Sequence, residues 1–371
     1  MIIAFSFFNY VENENDDFLI ETLAHISKTQ PDATFIFISN KNLERFSLQK
    51  NIIPVAVDSE IKNLFPRRFL FDFTISRILK KYKADIFITQ NYCSLFTKVP
   101  QILIHTASGT LGDERTIAKK ESFFKNLFIS KSLRQAQRVI TFSDFEKEEI
   151  TKKYKPDPAK IGVIYFGVHN NNKPINFEER EKVKEEYADG NEFFLSSGNI
   201  NEEKNLINLL KAFSAFKKRQ RSNMQLLFIG KSGNNTAKFK NLLNSYKFRN
   251  EIKIWKDLPP KKMSEISSSA YALIDPEIYS ANYQAALNSM KINVPILISA
   301  KGGMKEICKE AAIYFDAENH RDIAEKMMLI FKDETLRSAI IEKAAVRVKE
   351  FNWEKSSSAL WTTIKKIISA E

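Results

Sequence analysis

The feature that most constrains the fold of this chain is a regular alternation of short apolar runs with longer amphipathic stretches. The β-rich runs of the first half are "IIAFSFF", "ATFIFIS", "NIIPVAV", "ADIFITQ", "QILIHTA", "RVITFS" and "KIGVIYF". Those of the second half are "EFFLSSG", "MQLLFIG", "EIKIW", "YALIDP", "VPILIS" and "AAIYFD". Most of these runs are bounded by turn residues and separated by helix-length segments. This pattern predicts βαβ units, with parallel sheets covered by helices on both faces.

One stretch interrupts this alternation and predicts a boundary between domains. "GVHNNNKPINFEEREKVKEEY" contains a run of asparagines, a proline and a charged helix. We therefore predict an α/β protein of two Rossmann-like, doubly wound domains facing a central cleft, where such sheets bind ligands at the carboxyl ends of their strands. The predicted divisions are 1–170 (N-terminal domain), 171–190 (linker), 191–355 (C-terminal domain) and 356–371, a C-terminal helix that could cross back to the N-terminal domain.

Length and composition agree with a packed protein of two domains. The chain has 371 residues, of which 43% are hydrophobic and 27% are charged. Its two cysteines, Cys93 and Cys308, fall in different predicted domains, which predicts unbridged thiols in a reducing compartment. The start of the chain lacks the basic region of a signal peptide, and no apolar run approaches transmembrane length. We expect a cytoplasmic protein, with the inner face of the membrane as a further location.

The net charge of +12 and the isoelectric point near 9.3 suggest an anionic partner, although a solvated lysine-rich surface explains the charge equally well. Two segments, 66–83 and 117–138, combine basic residues with Phe and Leu. Their basic residues are Arg67, Arg68, Arg77, Lys80, Lys81 and Lys83, then Lys119, Lys120, Lys125, Lys131, Arg134 and Arg138. Such helices suit an anionic membrane surface; the alternative is a core of aromatics with a solvated charged face. No nucleic-acid-binding motif is present, so nucleic acid is not expected as a partner.

A lysine near the start of the second half is the first candidate for binding chemistry. "SSGNINEEKNLINLLKAF" predicts a strand, a turn containing Gly198 and a helix, and Lys204 lies just before that helix. A lysine beside the amides of a helix N-terminus suits a diphosphate. A solvated lysine beside a helix cap is the alternative.

The order of motifs from about Phe193 to Trp361 resembles the family 4 glycosyltransferases of the GT-B fold, also called glycosyl transferases group 1. The residues that carry this resemblance are Gly198, Lys204-Asn205, Pro276, Pro295-Ile296-Leu297, Gly302-Gly303 with Glu306, and Phe351-Asn352-Trp353. In the first half the resemblance is weaker and rests on "VPQILIHTASGTLGD", "AQRVITFSDFEKEEI" and "KIGVIYFGV". It implies that the N-terminal domain binds the acceptor and the C-terminal domain binds a nucleotide sugar.

The resemblance also implies roles for particular residues. Lys204 would stabilise the leaving diphosphate, and His105 would lie near the transferred sugar, unless it is a strand-end histidine satisfied locally. The implied donor-binding residues are Gly198, Asn199, Lys204, Ser280, Ala281, Asn282, Tyr283 and Asn288. Trp255 and Leu258 would lie at the nucleotide base. The family further implies transfer with retention at the anomeric carbon, without a metal or another cofactor.

The chain departs from the family in the implied donor pocket. The arginine that usually follows the glycine is Asn199, and the two glutamates of the Glu-x7-Glu motif are replaced by Ser280 and Asn288. In the family the first glutamate contacts the sugar and the second contacts the ribose. The neutral replacements form weaker hydrogen bonds than carboxylates. The usual glycine pair after the first strand is absent from "FFNYVENENDDF"; Glu277 could replace a lost glutamate, although nothing in the sequence establishes that it does.

These features lead to two main hypotheses. The first is a retaining hexosyltransferase that moves a sugar from a nucleotide sugar to a saccharide or lipid-linked acceptor, as in bacterial surface polysaccharide synthesis. The second is a catalytically silent relative that binds glycan, nucleotide or a partner subunit. A third, another GT-B activity such as sugar-nucleotide epimerisation, needs carboxylates in the cleft, which the sequence does not place.

Overall fold

The computed structural model divides the chain into two compact units. Unit 1 comprises Met1–Gly167 and Asn352–Glu371, and unit 2 comprises Val168–Phe351. The structure describes residues 1–7, 17–39, 50–57, 67–90, 92–105, 119–168, 173–198, 204–230, 237–280 and 283–370.

The strands of both units follow the apolar runs of the sequence. Those of unit 1 are β1 (Ile2–Phe7), β2 (Thr34–Ser39), β3 (Ile52–Ala56), β4 (Ile86–Gln90), β5 (Gln101–Ile104), β6 (Arg138–Thr141) and β7 (Ile161–Val163). Those of unit 2 are β8 (Phe193–Ser197), β9 (Gln225–Gly230), β10 (Ile252–Lys256), β11 (Ala272–Asp275), β12 (Ile296–Ser299) and β13 (Ile313–Phe315).

The helices lie between the strands. The first six are α1 (Asp17–Thr29), α2 (Arg67–Tyr82), α3 (Lys119–Gln135), α4 (Asp144–Tyr154), α5 (Phe177–Ala188) and α6 (Leu206–Gln220). The others are α7 (Ala237–Asn244), α8 (Pro260–Ser269), α9 (Tyr283–Lys291), α10 (Met304–Cys308), α11 (His320–Lys332), α12 (Glu334–Arg347) and α13 (Trp353–Ile368). Short 3-10 helices occupy Pro158–Lys160, Arg249–Glu251 and Val348–Glu350. No helix among the described residues combines the length and the apolar character that a membrane crossing requires.

Each unit is built on one parallel sheet. In the described part of the chain, the strand orders are β3-β2-β1-β4-β5-β6-β7 in unit 1 and β10-β9-β8-β11-β12-β13 in unit 2. Central strands are buried on both faces, as Phe193, Phe194 and Leu195 are in β8, which explains why they are continuously apolar rather than alternating. The predicted α/β class with two Rossmann-like domains is confirmed.

The end of the chain belongs to unit 1, where α13 packs against α1. Trp353 lies against Gly167, the last residue before the chain enters unit 2. A Cβ atom on Gly167 would lie 2.4 Å from the backbone nitrogen of Trp353, so only glycine fits there. Phe18 of α1 completes the contact, with its ring centroid 6.2 Å from that of Trp353. The chain thus leaves and re-enters unit 1 at adjacent points.

Residues 171–190, predicted as a linker, include a helix of unit 2. Helix α5 begins with a capping box formed by Asn176 and Glu179, and it packs against α8. Val183 and Tyr187 are buried one helical turn apart, so a buried stripe lies within a segment whose charges suggested a linker.

Candidate functional site

Two glycines allow the carboxyl ends of β8 and β9 to meet closely. Gly198, directly after β8, donates its backbone N–H to Ile229 at 3.0 Å. Gly230, which ends β9, has φ +151°, and a Cβ atom there would lie 1.9 Å from the carbonyl oxygen of Gly198. Any side chain at position 230 would therefore push apart the strand ends that carry the site.

Lys204 is buried at this edge of the sheet, with its side chain 5% exposed. Its Nζ atom lies 3.1 Å from Oε1 of Glu277 and 3.4 Å from Oδ1 of Asp275. A buried ammonium group is stable only with such partners, because desolvation otherwise penalises its charge. The lysine that the sequence assigned to a diphosphate is therefore held by carboxylates at the end of β11.

Beside Lys204, the side chain of Asn205 links the segments that follow three strands by hydrogen bonds. It adopts a left-handed conformation with φ +54° at the start of α6. Its Nδ2 atom donates to the carbonyl oxygens of Pro276, at 2.9 Å, and Ala317, at 2.7 Å. These bonds link the segment after β8 to the segments after β11 and β13, which fixes the backbone that carries Lys204.

Ser280 is buried, and its hydroxyl donates to Oδ2 of Asp275. Gly302, in the turn before α10, lies against the backbone of Ser280. The residue that replaces the first motif glutamate thus orients a buried carboxylate of the same cluster.

The replacement for the second motif glutamate lies on α9. Asn288 is half-buried and accepts a hydrogen bond at 3.1 Å from Nε2 of Gln284, one turn earlier. In the part of the chain that the structure describes, Oε1 of Gln284 is buried without a hydrogen-bond partner. Tyr283, at the start of α9, is 2% exposed. The sequence motifs did not single out Gln284, although its spacing of four residues from Asn288 on a helix places the two side chains on the same face.

The two residues predicted at the base lie in different environments. The indole of Trp255 faces α5: its Nε1 atom donates to the carbonyl oxygen of Tyr187 at 3.2 Å, and the two rings meet edge to face at 5.1 Å. Leu258 is half-buried in the turn after β10, where the N–H of Asp257 reaches the carbonyl of Gly230. Leu258 therefore lies at the carboxyl edge, whereas the ring of Trp255 packs between elements.

His105 follows β5 in unit 1, and its backbone N–H donates to Ile140 at 2.9 Å. Its side chain is buried, at 1% exposure. It thus lies at the carboxyl edge of its own sheet, while Lys204 lies in unit 2. Three other predicted site residues, Asn199, Ala281 and Asn282, lie outside the described residues, as does most of the glycine-free loop after β1.

The site offers one thiol nearby, and it is not reactive. Cys308 is buried in α10, and burial, with a smaller contribution from the charge of Asp275, raises the pKa of its thiol to about 12. The thiolate is the nucleophilic form, so Cys308 is inert at neutral pH. Cys93 is likewise buried, and neither cysteine forms a disulfide. Within the described ranges, no group of three or more His, Cys, Asp or Glu side chains could hold a metal ion.

Solved structures share this fold along the whole chain. A glycosyltransferase from Rickettsia africae superposes with a TM-score of 0.78 at 20% identity, covering 100% of this chain and 99% of that one. HepE of Anabaena, solved in complex with UDP-glucose, superposes with a TM-score of 0.77 at 12% identity, covering 99% and 100%. At these identities the likeness establishes the fold.

Family models account for both units. The model of the glycosyl transferases group 1 matches residues 177–347, and the model of glycosyltransferase family 4 matches residues 34–171. The chain belongs to the family 4-like glycosyltransferases of the GT-B fold. The resemblance found in the sequence is thereby confirmed for both units, including the first, where the motifs were weaker.

Among curated family members, the O-antigen chain mannosyltransferase RfbU of Salmonella typhimurium is 22% identical over 233 residues, which cover 62% of this chain and 61% of RfbU. The chain spans 57–61% of the length of the curated relatives that it matches. Within this family, the chain combines the Lys-Asn pair with a carboxylate cluster around the lysine, and it has neutral residues at both motif glutamates.

Proposed function

We propose that this protein transfers a hexose from a nucleotide sugar to a saccharide or lipid-linked acceptor during polysaccharide assembly. The observation that carries the proposal is the buried Lys204, fixed where β8 and β11 end and α6 begins. A pre-positioned ammonium group in a site of low exposure stabilises a developing negative charge more strongly than one in water. The family membership, the O-antigen activity in the name of RfbU and the UDP-glucose bound to HepE support this choice of reaction and donor class.

The roles of the residues follow from where charge develops. In the proposed reaction the bond between the anomeric carbon and the diphosphate oxygen breaks, and Lys204 stabilises the diphosphate that leaves. The N-terminal amides of α9, which begins at Tyr283, lie on the same strand-end segment and suit the other phosphate oxygens. Asn288, with Gln284, faces the ribose, and Leu258 approaches the base. The role of His105 at the transferred sugar rests on the family resemblance alone.

We further propose that transfer proceeds with retention and without a metal. The donor's own phosphate would then accept the proton of the acceptor hydroxyl on the face from which it departs. This part of the proposal rests on the family resemblance. Turnover that is unchanged by EDTA, and a product with the donor's anomeric configuration by NMR, are the expected results; loss of turnover in EDTA that Mg²⁺ restores would contradict it.

A lipid-linked acceptor requires a surface that meets the membrane, and unit 1 has a suitable one. The exposed residues of α2 are spaced along one helical face, and so are those of α3. The segment that contains Phe96 and Lys98, both exposed, lies between these helices in the sequence. These residues are Phe73, Arg77, Lys80 and Lys81 of α2, Phe96 and Lys98 of the segment, and Leu127, Lys131 and Arg134 of α3. Ser94 joins the three parts: its hydroxyl donates to the carbonyl of Asp72, and its own carbonyl accepts from Gln135 at 2.7 Å.

Basic residues interleaved with exposed apolar ones are suited to an anionic bilayer surface. We therefore propose peripheral binding at the inner face of the membrane, with a cytoplasmic pool. Sedimentation with vesicles containing phosphatidylglycerol, but not with phosphatidylcholine vesicles, is expected, and charge reversal at Lys80 and Lys131 should abolish it. The structure does not describe the side chains of five other basic residues predicted for this surface, which are Arg67, Arg68, Lys119, Lys120 and Lys125.

A direct test of the proposed reaction combines donors and acceptors. Purified protein is incubated with UDP-, GDP- and ADP-sugars and a lipid-linked oligosaccharide, and the product is detected by mass spectrometry. One donor family should give an acceptor heavier by one hexose, together with the nucleoside diphosphate. Nucleotide binding without turnover on any acceptor would instead favour the catalytically silent relative. The bond between Ser280 and Asp275 supports that alternative, because it engages the hydroxyl that replaces a motif glutamate.

A further inference from the structure

The loss of a glutamate at position 280 leaves two other carboxylates at the same strand end. Asp275 and Glu277 both lie within 3.4 Å of the ammonium group of Lys204. Their exposures differ: the Asp275 side chain is 6% exposed and that of Glu277 is 29% exposed. The two carboxylates can therefore behave differently when a ligand arrives.

Asp275 is fixed in place. Besides its contact with Lys204, it accepts the hydroxyl of Ser280 on Oδ2 and the backbone N–H of Glu277 on Oδ1, at 3.4 Å. A buried carboxylate with these partners would lose several hydrogen bonds by moving. Glu277, by contrast, has a longer side chain that is 29% exposed, so its carboxylate can turn towards solvent at a smaller cost in desolvation.

The charges of these three side chains favour such a movement. The Lys204 ammonium and the two carboxylates that contact it in the described part of the chain sum to a formal charge of −1, which disfavours the entry of a diphosphate. If the carboxylate of Glu277 turns away from Lys204, a phosphate can take its position on the ammonium group. Glu277 stays on the segment after β11, so groups attached to that phosphate remain within reach of its side chain.

We propose that Glu277 is the carboxylate that recognises the donor sugar in this protein. In the ligand-free chain it neutralises Lys204; when the donor binds, the diphosphate replaces it, and Glu277 accepts hydrogen bonds from hydroxyl groups of the transferred sugar. A carboxylate is the strongest side-chain acceptor for a hydroxyl, and Ser280 cannot supply one. The inference rests on the proposed function, because it requires a nucleotide sugar at Lys204.

The proposal predicts two binding effects of opposite sign for Glu277→Gln. Removing the competing charge should tighten the binding of a nucleoside diphosphate, which needs only Lys204. Removing the charged acceptor should weaken the recognition of the sugar. The preference for the nucleotide sugar over the nucleoside diphosphate should therefore fall by about fivefold or more.

The chain offers a matched control in Glu251→Gln. Glu251 lies 3.3 Å from Lys217, with side-chain exposures of 36% and 5%, so this is also a buried lysine paired with a partly exposed glutamate. Lys217 additionally donates to the backbone carbonyl of Met224 at 3.1 Å, just before β9 and at the opposite end of that strand from Gly230. If the loss of any carboxylate partner of a buried lysine changed nucleotide binding, both variants would show the change. The proposed role of Glu277 predicts a change in Glu277→Gln alone.

The experiment is isothermal titration calorimetry of the wild type, Glu277→Gln, Glu277→Asp and Glu251→Gln with UDP and UDP-glucose, with GDP and GDP-mannose, and with ADP and ADP-glucose. Glu277→Asp keeps the charge but shortens the reach, so it tests the proposal if Glu277→Gln fails to fold. Tighter diphosphate binding and a reduced sugar preference in Glu277→Gln, a reduced preference in Glu277→Asp, and wild-type values in the control are expected. Weaker diphosphate binding or an unchanged preference in Glu277→Gln would overturn the inference alone. A wild type that binds none of these probes would overturn the proposed function as well.

Discussion

At the scale of single residues, the substitution of both motif glutamates is the largest departure of this chain from its family. Its consequences differ at the two positions. Ser280 lies in the cluster around Lys204, where its hydroxyl donates a hydrogen bond to Asp275 and orients that carboxylate. Asn288 instead pairs with Gln284 and stays half-buried on α9. Position 288 is therefore the one at which the family's carboxylate can be restored without disturbing a buried ion pair.

Asn288→Glu should tighten nucleotide binding, because a carboxylate accepts ribose hydroxyls more strongly than an amide does. The new side chain can still accept the hydrogen bond from Nε2 of Gln284. A gain of about 1 kcal/mol in binding free energy is expected by calorimetry. Asn288→Gln is the control, since it adds the same length without the charge. If both variants bind alike, position 288 does not face the ribose.

The sequence predicted some residues of the site but not the contacts between them. Gly198, Lys204 and Ser280 were predicted from motif order, and they lie together at one sheet edge. The contact of Lys204 with Asp275 and Glu277 was not predicted, because 71 and 73 residues separate these partners and no local pattern relates them. Which of two adjacent strands brings a carboxylate to a lysine depends on strand order and register, which emerge only in the folded sheet.

At the scale of elements, the close approach of the ends of β8 and β9 is the main geometric requirement of the site. Gly230→Ala would place a methyl group 1.9 Å from the carbonyl oxygen of Gly198 and force alanine into φ +151°. A loss of roughly 3 kcal/mol or more in the free energy of unfolding is expected from this strain.

Chemical denaturation measures that loss, and Gly162→Ala is the control. A Cβ atom on Gly162 would meet Cδ1 of Ile140 at 3.6 Å, an ordinary contact, so its stability should change little. Equal effects of the two substitutions would mean that the strand ends can separate without strain.

Element boundaries also mark where sequence patterns failed. The strands followed directly from continuous apolar runs, such as "MQLLFIG" for Gln225–Gly230. Helix α5 was placed in a linker because its charges outnumber its apolar residues, yet it packs on α8 and has four buried residues, Val183, Lys184, Tyr187 and Ala188. A narrow buried stripe changes the amino-acid composition of a helix very little, so the composition of α5 did not reveal its packing.

At the scale of the whole molecule, unit 1 is completed by a helix from the far end of the chain. Leu360 and Ile364 of α13 are fully buried, and the ring of Trp353 packs against that of Phe18. Deleting residues 353–371 should therefore expose the apolar face of α1. Hydrogen exchange with mass spectrometry should show lost protection in β1, β2 and α1, while β8, β9 and β11 keep theirs. Unchanged protection in α1 would contradict this account of unit 1.

The stability of unit 2 should decrease at alkaline pH. Burial raises the pKa of Cys308, Tyr246 and Tyr271 to about 12 each, from ordinary values of 9.0 for the thiol and 10.0 for the phenols. Since the folded state binds these protons more tightly than the unfolded state, their stabilising contribution is complete below about pH 9 and is lost as the pH rises towards 12. Melting temperatures measured from pH 7 to pH 11 should fall above about pH 9, and Cys308→Ala should make the onset shift upward. A flat profile up to pH 11 would contradict the burial of these groups.

In the proposed reaction, Lys204 holds the diphosphate of a nucleotide-sugar donor. Calorimetric titration of the wild type and Lys204→Gln with UDP, GDP and ADP, without added metal, tests it most directly. One nucleotide should bind the wild type, and the variant should bind it more weakly by about 1.5–3 kcal/mol, the contribution of a hydrogen bond to a charged group. Equal affinity in the two proteins, with both shown to be folded, would contradict the placement of the diphosphate at Lys204.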